Sequence, residues 1–239
     1  MNTREAARFL RVSEASIRRW SDAGLLNAQR VGRRRERRFA PVELRRFLGH
    51  AGADCQENGP PATPTTVTLG RATLPLGSHL APIYSTDAGG LPLAVPFLAE
   101  GLKAGQPCFL AATGATLDRY AEALADEHGL DLATASRNGQ VVVLSGAEDV
   151  TVWERLFGRA LASGPTVLRM VGEMACVRQR RASDDDMMAL EEDFDLMAKR
   201  FPTVSLCQYD ARKFNGEMVL RALKTHPDIF DQHLGGFLT

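Results

Sequence analysis

Apolar residues in the first fifty positions recur at helical spacing in two short bouts, Ala6, Ala7 and Leu10, then Ile17 and Trp20, separated by Val12-Ser13. Spacings of three and four residues put one apolar stripe on each helix, so two short helices joined by a tight turn are predicted. Thr3 is placed to cap the first helix and Ser13 the second, and Gly24 suits the left-handed residue that ends it before Leu25-Leu26 re-enters the core. Val31 and Phe39 then bracket a loop that turns at Gly32, which predicts a wing with two apolar anchors. Pro41 fits the first position of a third helix that carries Val42, Leu44, Phe47 and Leu48 inward.

From about residue 49 to 77 the periodicity breaks against Gly49, Gly52, Gly59, Pro60, Pro61, Pro64, Pro75 and Gly77. A stretch with so little apolar pattern buries too little surface to offset its ordering entropy, so residues 50–75 are predicted to form a linker. Beyond it, short apolar runs at 82–85, 108–112, 141–145, 166–171 and 204–209 alternate with helical patterns at 91–103, 117–128, 152–162 and 187–200. The runs are continuously apolar, which is the pattern of strands buried on both faces. The expected fold class is α/β: a winged helix-turn-helix at residues 1–49 and, at 76–239, a mostly parallel sheet flanked by helices.

Charge separates the same two parts. The first fifty residues hold thirteen arginines, no lysine and five acids, a net charge of +8, and the remainder balances 16 basic against 24 acidic residues for −8. Five arginines in the six positions 33–38 repel one another, and a polyanion relieves that repulsion while releasing counterions. The partner expected is therefore double-stranded DNA, with Glu14, Ala15, Ser16, Arg18 and Arg19 presented from the second helix and Arg33, Arg34, Arg35 and Arg37 from the wing. Trp20 is read as a core aromatic. No apolar run is long enough to span a membrane and no signal peptide is evident, so a cytoplasmic protein is expected.

The segments Thr3-Arg4-Glu5-Ala6-Ala7, Ser16-Ile17-Arg18-Arg19-Trp20, Gly24-Leu25-Leu26 and Phe39-Ala40-Pro41 resemble the winged-helix head of the MerR family and its excisionase-like relatives over residues 2–48. That resemblance implies the same DNA contacts. No long heptad helix follows the head, so the coiled-coil dimer of MerR regulators is not expected, and a homodimer would form through the second domain or on DNA.

Over residues 76–230, Gly77-Ser78-His79 with Tyr84, Pro96-Phe97-Leu98-Ala99-Glu100-Gly101-Leu102, Gly172-Glu173-Met174, Leu206-Cys207-Gln208-Tyr209-Asp210, Phe214 and Thr225-His226-Pro227 resemble, in order, the MEDS sensory domain. The resemblance implies a RecA/KaiC-like three-layer sheet without its phosphate loop, binding a small organic effector. Ala81 stands where that family usually has a second cysteine. The residues offered for the effector are His79, Tyr84, Glu173, Cys207, Tyr209, Asp210 and His226, all beside predicted strand ends, where loops converge in open α/β sheets. A structural hydrogen-bonded network of His79, Glu173 and Asp210 is the competing reading. The donors His79, His226, Glu173 and Cys207 share no local ligand spacing, so no metal is assigned, and no cofactor.

An enzyme is not expected. The turn after 108–112 reads Thr113-Gly114-Ala115-Thr116-Leu117, a lone glycine without the lysine that a triphosphate cradle needs. Two other readings stay open: a degenerate RecA-like enzyme using Cys207 or Cys176, and an adaptor whose C-terminal domain binds a protein through Met187, Met188 and Met197. At helical spacing those methionines fit a core better than a surface.

Overall fold

The computed structural model describes residues 1–228 apart from 11, 23, 33–35, 42, 45–46, 48–64, 71, 163 and 165–166. The chain divides into two units, Met1–Thr65 and Thr66–Thr239.

In the first unit α1 (Thr3–Leu10) buries Ala6, Ala7 and Leu10, and α2 (Glu14–Asp22) buries Ile17 and Trp20, as the apolar spacing predicts. The cap of α1 falls one residue earlier than expected. Asn2 Oδ1 accepts from the Glu5 amide and Glu5 Oε2 from the Asn2 amide, both at 2.8 Å, a reciprocal capping box that leaves Thr3 inside the helix. Ser13 caps α2 as read, its Oγ accepting from the Ser16 amide at 3.0 Å. Strands β1 (Gln29–Val31) and β2 (Glu36–Arg38) pair antiparallel, with Gly32 at φ +76° in the turn. Phe39 anchors this wing, buried and hydrogen-bonded to Met1 on both its amide and its carbonyl. Val31 does not: it is 50 % exposed, as all three residues of β1 are exposed. After Pro41, Leu44 is buried and the Phe47 ring lies 5.0 Å from that of Trp20, while Val42 and Leu48 fall outside the described residues.

The second unit begins earlier than the sequence suggests. Residues 66–75, assigned above to the linker, form the hairpin β3 (Thr66–Leu69) and β4 (Ala72–Pro75), whose Val67, Leu69 and Leu74 enter the core. Alternation of threonine with Val67 and Leu69 outweighs the prolines, because Pro75 sits at the strand end where it breaks no ladder. The hairpin is followed by β5 (His79–Leu80), β6 (Ile83–Tyr84), α3 (Leu91–Lys103), β7 (Cys108–Ala111), α4 (Gly114–His128), α5 (Leu132–Arg137), β8 (Val141–Leu144), α6 (Val150–Ala162), β9 (Leu168–Glu173), α7 (Met174–Arg178), α8 (Asp184–Ala198), β10 (Thr203–Asp210) and α9 (Gly216–Thr225).

The main sheet is parallel in every pairing, in the order β5-β10-β9-β7-β8, with β6 also on β10. Both faces are covered. Leu110, Val171, Val204 and Leu206 face α3, α4, α5 and the hairpin, and Phe109, Met170, Cys207 and Tyr209 face α6 to α9, which explains the uninterrupted apolarity of the strands. Met187, Met188 and Met197 belong to this second core, not to a surface. Asp131, Ser183 and Asn215 cap α5, α8 and α9 through their side chains.

Candidate functional site

The head presents a mixed set of the predicted DNA contacts. Arg18 projects into solvent beside Glu14 at 3.0 Å, an exposed pair that a phosphate can outcompete. Arg19 is half-buried on the same helix. Ser16 is 2 % exposed with its hydroxyl 3.0 Å from that of Ser13, so in this structure it is packed into the turn. Arg37 is mostly covered and bonds Asp22, which also takes Arg30 at 3.3 Å. Those bonds tie the wing to the end of α2, so Arg37 is a brace in this structure and not a free cation. Arg33, Arg34 and Arg35 lie outside the described residues.

In the second unit the seven residues offered for an effector separate into three groups. Glu173, at the carboxyl end of β9, is 2 % exposed and accepts from Tyr84 at 2.9 Å, Tyr120 at 2.7 Å and the Gln208 amide at 3.1 Å. Burial pushes its carboxyl above the ordinary range, while the two tyrosine hydrogen bonds pull it back. Gly90 closes over this group: a Cβ there would stand 3.2 Å from the Tyr84 ring and 3.4 Å from Glu173 Oε1. Tyr120 on α4 and Gln208 on β10 were not among the residues expected.

His79, Cys207, Tyr209 and His226 come together on the other side of β10, around a residue the sequence reading omitted, Glu191 of α8. His226 Nε2 lies 2.9 Å from Glu191 Oε2 and 3.0 Å from His79 Nε2, and Cys207 Sγ lies 3.1 Å from His79 Nε2. Tyr209 donates to Glu191 at 3.1 Å. Behind His79, Asp195 Oδ1 is 3.4 Å from Nδ1 and takes Lys199 at 2.9 Å, and Lys199 also holds Asp228 at 3.2 Å. Burial and the neighbouring His226 keep the His79 imidazole below its ordinary value, hence neutral. Burial and Glu191 push the Cys207 thiol well up, so in this arrangement it is no nucleophile.

Asp210 stands apart from both groups. Its carboxylate takes Arg212 through two bonds at 2.9 and 2.8 Å, and Arg212 reaches on to Asp87 at 2.8 Å. The three-residue network of His79, Glu173 and Asp210 is therefore not formed. Strand alternation separates the first two, and Asp210 turns to the arginine two residues on.

An apolar pocket adjoins the histidine group. Ala111, Trp153, Met170, Met174, Leu190 and Phe194 line it, with Cys207 and Glu191 on its polar wall and Gly146 and Glu148 of the β8–α6 loop beside them. The space it encloses is small, about 20 Å³. Gly172, the register partner of Cys207, adds no side chain on this side, where Met170 and Met174 close in. Arg181 ties the loop down through the Glu148 carbonyl at 2.6 Å. No helix among the described residues is long and apolar enough to cross a membrane.

With this geometry in hand, the chain can be set beside known proteins. Residues 78–227 match the model of the MEthanogen/methylotroph, DcmR sensory domain, and residues 1–50 match a helix-turn-helix domain. Over 245 aligned residues it is 36 % identical to the transcriptional repressor DcmR of Methylorubrum extorquens, covering 96 % of this chain and 91 % of that protein. Among solved structures it is similar to a KaiC-like protein of Pyrococcus horikoshii at 14 % identity and TM-score 0.44, over 62 % of this chain and 69 % of the other. It is similar also to the flagellar accessory protein FlaH of Methanocaldococcus jannaschii at 10 % identity and TM-score 0.47, over 68 % and 77 %.

Proposed function

The chain belongs to the family of the MEthanogen/methylotroph, DcmR sensory domain, here joined to a helix-turn-helix head, and on that premise we propose that it is a DNA-binding repressor released by a small apolar organic effector. The observation that carries the effector reading is the pocket against β10. Its walls are mostly methionine, leucine, valine, tryptophan and phenylalanine, with Glu148, Glu191 and Cys207 as the polar members. Such a lining desolvates an apolar guest and orients it by its few polar groups.

Occupancy changes DNA affinity only if the effector binds two arrangements of the protein unequally. Two heads on one palindrome would place half-site centres about 34–36 Å apart, which makes a homodimer the form that reads DNA. The function proposed needs no catalytic step, in keeping with the transcriptional repressor to which the chain is similar.

The test uses the full chain and fluorescent duplexes from the DNA flanking its own reading frame. Tight, salt-sensitive binding to one duplex, weakened by millimolar apolar one- or two-carbon compounds, is the expected result. The same compounds should raise the melting temperature of the protein alone. Failure to bind any duplex in dilute buffer would remove the repressor. Binding that no small organic compound alters, with a protein partner captured instead, would favour an adaptor.

A further inference from the structure

We propose that His79, Glu191, Cys207 and His226 form a binding site for one divalent transition-metal ion, with zinc the ion the donors suit best. One ligand atom from each of the four lies within 4.8 Å of every other, and all four residues are buried. Tetrahedral zinc with metal–ligand distances of about 2.0–2.3 Å holds its donors roughly 3.3–3.6 Å apart. The separations straddle that range: 2.9 Å from His226 Nε2 and 3.8 Å from His79 Nε2 to Glu191 Oε2, 3.0 Å between the two Nε2 atoms, 3.1 Å from Cys207 Sγ to His79 Nε2, and 3.5 Å from Cys207 Sγ to the other carboxylate oxygen, Glu191 Oε1.

The orientation of the imidazoles argues the same way. His226 Nδ1 lies 2.7 Å from the Ala222 carbonyl, which can only accept, so Nδ1 carries the proton. His79 Nδ1 faces the Asp195 carboxylate at 3.4 Å, an acceptor that favours the same tautomer. Each ring thus turns Nδ1 toward an acceptor and Nε2 toward one point, where a carboxylate and a sulfur also converge. This is how metal-binding histidines are held, by an acceptor on the far nitrogen. Tyr209 supplies the equivalent support to Glu191.

Charge closes the case. Lys199 is engaged by Asp195 and Asp228, and the neighbours of the Glu191 carboxylate include His79, His226, Cys207 and Tyr209. A dication bound by one thiolate and one carboxylate is a neutral assembly, which a fully buried centre accepts at low cost. On binding, Cys207 gives its proton to solvent and its sulfur to the metal. The four donors come from β5, β10, α8 and the residue that ends α9, so the ion would lock the edge of the sheet to two helices.

The experiment uses the full-length chain, stripped with chelator and titrated with Zn²⁺ or Co²⁺ alone. The expected result is one equivalent of either ion, a tetrahedral cobalt spectrum with a sulfur-to-metal charge-transfer band, and a raised melting temperature. Cys207→Ser should lose the charge-transfer band while keeping the weaker d–d absorption. His226→Gln should lower zinc affinity at least tenfold. Because His226→Gln risks misfolding, Cys176→Ser serves as the control that keeps the full cobalt spectrum. Wild-type protein that stays folded and takes up neither ion overturns the proposal and leaves a proton shared by the two imidazoles and Glu191. A bound ion whose spectrum ignores Cys207→Ser overturns it equally.

Discussion

Replacing Glu173 separates the value of its charge from the value of its acceptors. Three buried donors point at this carboxylate, from Tyr84, Tyr120 and Gln208. Glu173→Ala orphans them in a site 2 % exposed, and each unsatisfied buried donor costs about 1–3 kcal/mol. Gln208 also donates to Tyr120 and keeps that partner, so the loss expected is about 3–5 kcal/mol, toward the lower end of three independent donors. Glu173→Gln keeps the carbonyl for Tyr120 and Gln208, and the Tyr84 hydroxyl can rotate to accept from the new amide. It also removes a carboxylate that burial disfavours, so its cost should be within about 1 kcal/mol. The pH response sharpens the contrast. An acid with a higher pKa folded than unfolded binds extra protons in the native state, so stability is greatest below the ordinary carboxylate value of 4.5 and declines as pH rises toward the folded one. Glu173→Gln should abolish that decline. Urea unfolding followed by Trp153 fluorescence in a Trp20→Phe background reports the second unit alone, since these are the two tryptophans of the chain. The reasoning fails if Glu173→Ala costs less than about 1 kcal/mol, or if Glu173→Gln is as damaging as Glu173→Ala.

Neutralising Arg33, Arg34 and Arg35 together should lower the slope of log affinity against log salt by about 2–3 units, measured by anisotropy, and an unchanged slope would exclude the wing from the phosphates. Arg18→Ala should weaken discrimination between duplexes, whereas Ser16→Ala should leave it unaltered, because that hydroxyl faces Ser13. Leu190→Trp should fill the apolar pocket and remove the thermal shift caused by an effector while DNA affinity in its absence persists. The Arg212 hydrogen bond holds the Asp210 carboxyl below its ordinary value, a stabilisation present above the unfolded pKa near 3.8 and lost as pH falls through the folded one. Arg212→Ala should therefore move the acid-unfolding midpoint of the second unit to higher pH, read by the same fluorescence.

Much of the fold is legible in the sequence because burial on both faces writes itself as unbroken apolar runs, as in Cys108–Ala111 and Val141–Leu144. What escapes is structure too short or too local to carry a period. His79–Leu80 is a two-residue strand that exists only because β10 offers it hydrogen bonds, whereas Ile83–Tyr84 lies within the apolar run 82–85 and is found as a strand. The candidate chemistry divides likewise. His79, Cys207 and His226 stand out as reactive residues near strand ends, but their shared carboxylate comes from the middle of α8. The signal for Glu191 was its phase: with Asp195 it falls on the stripe of Met187, Met188, Phe194 and Ala198, where an acid needs a partner. Glu173 was chosen instead, and the alternation of strand residues carries it to the opposite face.

That alternation has a mechanical result. Cys207 and Gln208 are adjacent on β10, one held against His79 and the other against Glu173 and the Tyr120 hydroxyl. The strand thus behaves like a bolt with a tooth on either flank, its two clusters set one peptide bond apart on opposite faces of the sheet.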